Sequence, residues 1–155
     1  MSSAKFLRRY RTDSDVHFEV ESILHIPPCQ RRVGGVHVDF SDPGQDMLDM
    51  AEFYRKNTKE KILHILINFT HSECTDIDVL ERIAQRICHD IGKRYQIIYA
   101  VHLEDPKRPH IHIIFNMVSF RGGILYCHQY EWERIQYYIH MAILPTDIRL
   151  PKLQK

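Results

Sequence analysis

"RPHIHIIFN", residues 108–116, sets two histidines around one isoleucine at the head of an apolar run. Side chains alternate along a strand, so His110, His112, Ile114 and Asn116 share one face, and Ile111, Ile113 and Phe115 the other. The preceding "YQIIYAVHLE", residues 95–104, reads as a second strand, with Ile98, Ala100 and His102 on a common face. Only a short loop with two prolines separates the two runs, which predicts an antiparallel hairpin. A register that sets Leu103 opposite Ile111 puts His102 directly across from His112, and opposed side chains in such a pair sit about 5 Å apart. His110 then lies one step along the same face. A lone His-x-His pair is ordinarily a pair of half-buried strand residues. A third imidazole converging from the adjacent strand turns the reading toward a divalent metal site with open positions. Neutral imidazoles with water or phosphate oxygens suit Mn, Zn, Ni or Co, and admit Mg weakly.

Working outward from the hairpin, "KILHILINF", residues 61–69, is short, β-branched and apolar, a buried strand. The segment 75–93 opens with Thr75 and Asp78 in capping-box positions and carries Ile77, Leu80, Ile83, Ala84, Ile87 and Ile91 as one apolar stripe before Gly92, so it reads as a helix. "SDPGQDMLDMAEFYRKN", residues 41–57, has an Asp42 or Ser41 cap, Pro43 in the first turn and Met47, Met50, Ala51 and Tyr54 on one side, again a helix. "RGG" at 121–123 is a turn into a short fourth strand, "ILYCH" at 124–128. The run 130–143 closes as a helix with Trp132, Ile135, Ile139 and Ala142 aligned. Toward the N-terminus, "AKFLRRYR" reads as a helical turn and "VGGVHVDF" as an edge strand. The sum is an α+β fold, a central antiparallel β-sheet flanked by helices.

With 155 residues and 44% hydrophobic content, the chain fits one domain with a real core. A formal charge of +1 excludes a global field for nucleic acid, and the basic clusters "RRYR", "QRR", "GKR" and "PKRP" are short. Cys29, Cys74, Cys88 and Cys127 lie far apart without a Cys-x-x-Cys pair, which predicts reduced thiols and a cytoplasmic location. There is no signal-peptide pattern and no apolar run of membrane-spanning length.

The longer segment "AVHLEDPKRPHIHIIFNMVSFRGGILYCH" resembles the three-histidine segment of plasmid and transposon relaxases, the mobilisation nucleases of the HUH endonuclease superfamily. That family pattern is a strand ending in His-x-Asp, a polar loop, His-x-His, an aliphatic run, Asn, a Gly turn and a short strand. Here the corresponding residues are His102, Glu104 in place of the Asp with Asp105 next to it, His110, His112, Asn116 and Gly122–Gly123. "KILHILINFTHSE" with the long helix after it is similar to the family's His-containing strand and helix, with Asn68 where Ser is usual. Near the start, Tyr10 stands nineteen residues before Cys29, a spacing similar to that between tyrosine and cysteine in one branch of the family, although the Asn-x-x-Lys-Thr that usually follows the tyrosine is absent. The resemblance covers about half the chain, residues 61–139.

The resemblance implies an HUH/relaxase-like fold with a ferredoxin-like core. Residues 1–155 would be a single nuclease domain, open to truncation at the N-terminus and to continuation in a longer protein. It implies that Tyr10 attacks a phosphodiester of single-stranded DNA at an origin of transfer, leaving a 5′-phosphotyrosine, with a divalent metal (Mn or Mg; alternatively Zn, Ni or Co) held by His102, His110 and His112. Glu73 is the acid expected to assist, with Asp76 beside it, although both positions also suit helix capping. Glu104 or Asp105 would orient a histidine, and Asn116 would either bind phosphate or close the strand end. Accessory mobilisation proteins are implied partners. His64, inside a strand, reads as a satisfied core residue. Two other readings stay open: a single-tyrosine transposase or rolling-circle initiator using Tyr137 or Tyr138, and a non-catalytic DNA-binding domain on a decayed relaxase scaffold.

Overall fold

The computed structural model describes residues 3–7, 10–25, 31–70, 76–105, 107–125, 129–148 and 152–154. Its strands are β1 (Ser3–Leu7), β2 (Arg31–Val36), β3 (Ile62–Asn68), β4 (Ile97–His102), β5 (His110–Asn116) and β6 (Lys152–Gln154). Its helices are α1 (Asp13–Leu24), α2 (Pro43–Phe53), α3 (Ile77–Ile91) and α4 (Gln129–Ile143). The strands form one sheet in the order β2-β4-β5-β3-β1-β6. The first five pair antiparallel, and β6 adds to β1 in parallel. The expected α+β fold, an antiparallel sheet with flanking helices, is therefore the observed one.

The two faces of the sheet bury different things. Odd-numbered residues of β5, namely Ile111, Ile113 and Phe115, join Leu63, Ile65, Ile67, Ile97 and Val101 in the larger core. The stripe of α3 (Leu80, Ile83, Ala84, Ile87, Ile91) and that of α4 (Trp132, Ile135, Ile139, Ala142) close over that face. Trp132 meets Phe6 of β1 edge to face, with ring centroids 4.5 Å apart. On the opposite face, Ile62, Ile98, Ala100 and Ile114 meet Val16, Val20 and Ile23 of α1 and Met47 of α2. This second core covers only part of its face, and the histidines of β4 and β5 lie on the same side.

Several local elements differ from expectation. The segment around Ala4–Leu7 is strand, not a helical turn: Ala4 and Phe6 are buried while Lys5 is exposed, the alternation of an edge-side strand, and the segment pairs with β3 from Ser3↔Asn68 to Leu7↔His64. Its buried members complete the α4 side of the core, which a helical turn at the sheet edge would leave open. The N-terminal region also holds α1, which the apolar pattern did not announce. Thr12 caps it in a full capping box with Asp15, and Val16, Val20 and Ile23 form its buried stripe. Of the short strand expected at 124–128, Ile124 bridges Val118 and the Leu125 amide donates to the Met117 carbonyl at 2.9 Å, while residues 126–128 lie outside those described. The edge strand near "VGGVHVDF" exists but runs from Arg31 to Val36, because His37 leaves the strand with a φ of 60°.

Candidate metal centre and its tyrosine

The hairpin register differs from the one expected. His102 pairs with His110, and His112 stands opposite Ala100 on one side and Leu66 on the other. The connection between the strands is seven residues, 103–109, and is tightened by bonds from the amides of Lys107 and Arg108 back to Asp105. His110 thus faces His102 across the hairpin. The change slides the pair by an even step, so each side chain keeps its face. The three rings therefore still converge: centroids are 4.6 Å apart for His102–His112, 4.9 Å for His110–His112 and 5.1 Å for His102–His110. One ligand atom from each ring lies within 4.8 Å of the other two.

The hydrogen bonds behind the rings fix which nitrogen each presents. His102, 2% exposed, donates from Nε2 to the carbonyl of Ile23 at 2.7 Å. That carbonyl is one of the orphan acceptors of the α1 C-terminus, whose last turn has no basic residue, so the imidazole closes the helix end. His110 donates from Nδ1 to the carbonyl of Arg108 at 2.9 Å. A neutral imidazole has one N–H, so in that form His102 Nδ1 and His110 Nε2 each present a lone pair. These two nitrogens face one another at 3.3 Å. Glu104 Oε1 lies 3.6 Å from the first and 3.4 Å from the second. Three electron-rich atoms at such spacing are held together by a proton or by a metal cation among them. Atoms so spaced fit an ion with bonds of about 2 Å, the usual range for nitrogen and oxygen ligands. Burial first, and then the neighbouring His64, His110 and His102, push the imidazolium form of His112 down to about 2, so this ring is neutral and available as a ligand.

Sequence reasoning treated His64 as a filled core position. It is buried, 1% exposed, but its neighbours are chemical ones. His64 Nε2 is 2.7 Å from His112 Nδ1. On the other side of the ring, His64 Nδ1 is 2.9 Å from the Tyr10 hydroxyl and 2.8 Å from Glu19 Oε1 of α1. Tyr10 itself is 3% exposed, and its carbonyl accepts from the amide of Lys61 at 2.8 Å, continuing the register in which β1 pairs with β3. The tyrosine is thus one imidazole removed from the histidine cluster. His64 had a sequence signal: it lies two residues from Leu66, which shares the face of His112 once β3 is placed beside β5. Glu19 had none, since its meaning depends on α1 packing across that face.

The remaining residues named from sequence are placed as follows. Asn116 is 1% exposed. Its Nδ2 donates to the carbonyl of Met47 and to Gln96 Oε1, each at 2.9 Å, and its Oδ1 accepts from the amide of Val118 at 3.1 Å. It ties β5 to α2 and to the start of β4. The Asp105 carboxylate accepts from the amide of Lys107 at 3.0 Å within the hairpin loop. Asp76 caps α3 by accepting from the amide of Asp78 at 2.9 Å. Glu73 and Cys29 lie outside the described residues. Tyr137 and Tyr138 belong to α4, on the sheet face away from the histidines. Cys88 is a free, buried thiol of α3. Among the described residues, no helix is long and apolar enough to cross a membrane.

Comparison with curated proteins returns no match to this chain. The family model for the MobA/VirD2-like relaxase nuclease domain matches residues 30–141, a span holding all three clustered histidines, Glu104 and His64. That span is well over half of the sequence, and it carries the antiparallel hairpin and the imidazole cluster just described; the chain belongs to the MobA/VirD2-like relaxase nuclease family.

Proposed function

We propose that this protein nicks one strand of DNA at a plasmid or transposon origin of transfer and holds the cut end on Tyr10. The observation that carries the reading is the chain of contacts from the Tyr10 hydroxyl through His64 to His112, which brings a buried tyrosine to the three-histidine cluster. His102 through Nδ1, His110 through Nε2, His112 and the Glu104 carboxylate would hold a divalent ion, with Mn or Mg the leading candidates. Bound there, such an ion supplies positive charge that polarises and orients the scissile phosphate. The phenolic oxygen of Tyr10 forms a bond to phosphorus as the bond to the 3′ oxygen breaks. The phenolic proton ends on the departing 3′ oxygen. The product is a 5′-phosphotyrosine and a free 3′-hydroxyl. Because the ester keeps the bond energy, the strand can be rejoined without ATP. Glu73 is proposed as an assisting acid, and accessory mobilisation proteins as partners at the origin.

The test is incubation with Mn2+ and single-stranded oligonucleotides carrying origin sequences, followed by denaturing gels. The wild type should form a covalent adduct. Tyr10→Phe should abolish it while Mn2+ affinity stays the same. An adduct that survives Tyr10→Phe but is lost in Tyr138→Phe would move the nucleophile to α4. Absence of both adduct and metal from the wild type would support a DNA-binding scaffold without chemistry.

A further inference from the structure

Resting on the reading of Tyr10 as nucleophile, we infer that His64 is a positioning residue that couples the metal ligand His112 to the Tyr10 hydroxyl through one directed line of hydrogen bonds. The direction follows from proton counting. His112 can offer Nε2 to a cation only if its proton sits on Nδ1. That proton then lies between His112 Nδ1 and His64 Nε2, which are 2.7 Å apart, and His64 accepts it. A neutral His64 has its single proton on the other nitrogen, Nδ1. There it meets the Tyr10 oxygen at 2.9 Å and Glu19 Oε1 at 2.8 Å.

Two consequences follow. His64 does not take the phenolic proton in the loaded state, because the side facing Tyr10 is already a donor. Instead its N–H holds the tyrosine oxygen by a lone pair, orients it, and favours the negative charge that grows there during attack. Glu19 holds the same ring edge from α1 and fixes the tautomer, as a carboxylate does behind a metal-bound imidazole. The sheet supplies the rigidity: His64 pairs with Ile114 on one side and Leu7 on the other, between the strand of His112 and the strand leading to Tyr10.

The two ends of the imidazole can be separated by mutation. A glutamine at this position reaches the place of Nε2 and keeps an acceptor for His112, but lacks the donor toward Tyr10. An asparagine reaches the place of Nδ1 and keeps that donor, but lacks the acceptor for His112. Two readouts are needed: Mn2+ affinity by calorimetry without DNA, and the single-turnover adduct rate at saturating Mn2+. His64→Ala should weaken Mn2+ by about tenfold or more and slow the adduct by about tenfold or more. His64→Gln should keep Mn2+ affinity within about threefold of wild type while staying as slow as His64→Ala. His64→Asn should bind Mn2+ as weakly as His64→Ala, yet react about tenfold faster than it once the metal is saturating. Glu19→Gln, nearly isosteric, gives a route that does not disturb the core: it keeps an acceptor for the His64 N–H but removes the charge that fixes the tautomer, so it should slow the adduct and weaken Mn2+ by less than His64→Ala does. The inference is overturned if the Gln and Asn variants shift both readouts in parallel, as mere packing would require. It is equally overturned if His64→Ala leaves Mn2+ affinity unchanged. A wild type that forms no adduct overturns the functional reading and the Tyr10 half of this inference, while the affinity arm still decides the link to His112.

Discussion

Glu104 shows how much one side chain can change the character of the site. The sequence pattern suggested a residue that steadies a histidine from behind, yet its carboxylate faces the same point as the lone pairs of His102 and His110, at 3.6 and 3.4 Å. A ligand that adds negative charge strengthens the hold on a hard divalent ion such as Mn2+. Glu104→Gln removes that charge with little change of shape. It should weaken Mn2+ by about ten- to a hundredfold, measured by calorimetry, with the fold unchanged by circular dichroism. Equal affinity in the variant would move Glu104 out of the coordination sphere. His112 gives a second residue-scale prediction, through its depressed basicity. In the unfolded chain it titrates at the ordinary value of 6.5, and in the folded apo protein only near 2. Between those values the unfolded state holds the extra proton, so this residue's contribution is intact above pH 6.5 and is lost progressively as pH falls below it. Thermal midpoints of the apo protein should drop from pH 7.5 to pH 5.5, and His112→Gln should flatten that dependence. A variant as pH-sensitive as the wild type would mean other groups carry the effect.

Among the elements, α1 does the most for the site and was the least legible. The strands β3, β4 and β5 and the helices α2, α3 and α4 were readable, because their apolar periods are unbroken over seven or more residues or carry clear caps and stripes. In α1 the stripe is only Val16, Val20 and Ile23, interrupted by His17, Phe18 and three glutamates or serines. Phe18 points to solvent, 74% exposed, which confuses the period further. The register of the hairpin was also illegible, since a slip by two residues leaves every side chain on its face and the apolar pattern unchanged. The face shared by the histidines survived that error because it depends only on odd or even position. The role of α1 can be tested without touching a polar group. Val20→Ala opens a cavity between α1 and the Ile98–Ile114 face and should cost about 1–3 kcal/mol in denaturant unfolding. It should also lower Mn2+ affinity, because the same helix fixes His102 through the Ile23 carbonyl. A loss of stability with Mn2+ affinity intact would show that the hairpin orients its histidines alone.

For the whole molecule, the site and the fold share one load. The sheet carries two cores: one packed under α3 and α4, the other under α1 and α2. On the proposed reading, a cation and a DNA strand would approach the histidine side of that second face. Where both rings are neutral, the facing lone pairs of His102 and His110 are a cost to the folded apo state and a gain once a cation is bound. A ligand that binds only the folded protein raises its stability by RT ln(1 + [L]/Kd), about 2.7 kcal/mol at a hundred times Kd. Unfolding should therefore become harder with Mn2+, and by an amount that tracks the logarithm of its concentration. Mg2+ should follow the same law from a higher concentration, since imidazole suits it less well. His110→Ala removes one lone pair and the repulsion with it. This variant should match or exceed the wild type without metal and lose most of the stabilisation with it. Thermal shift across a Mn2+ titration, wild type against variant, reads both halves at once. A variant that is destabilised in the apo form and gains from Mn2+ as much as the wild type would mean that the histidines serve the fold, and that the ion binds elsewhere.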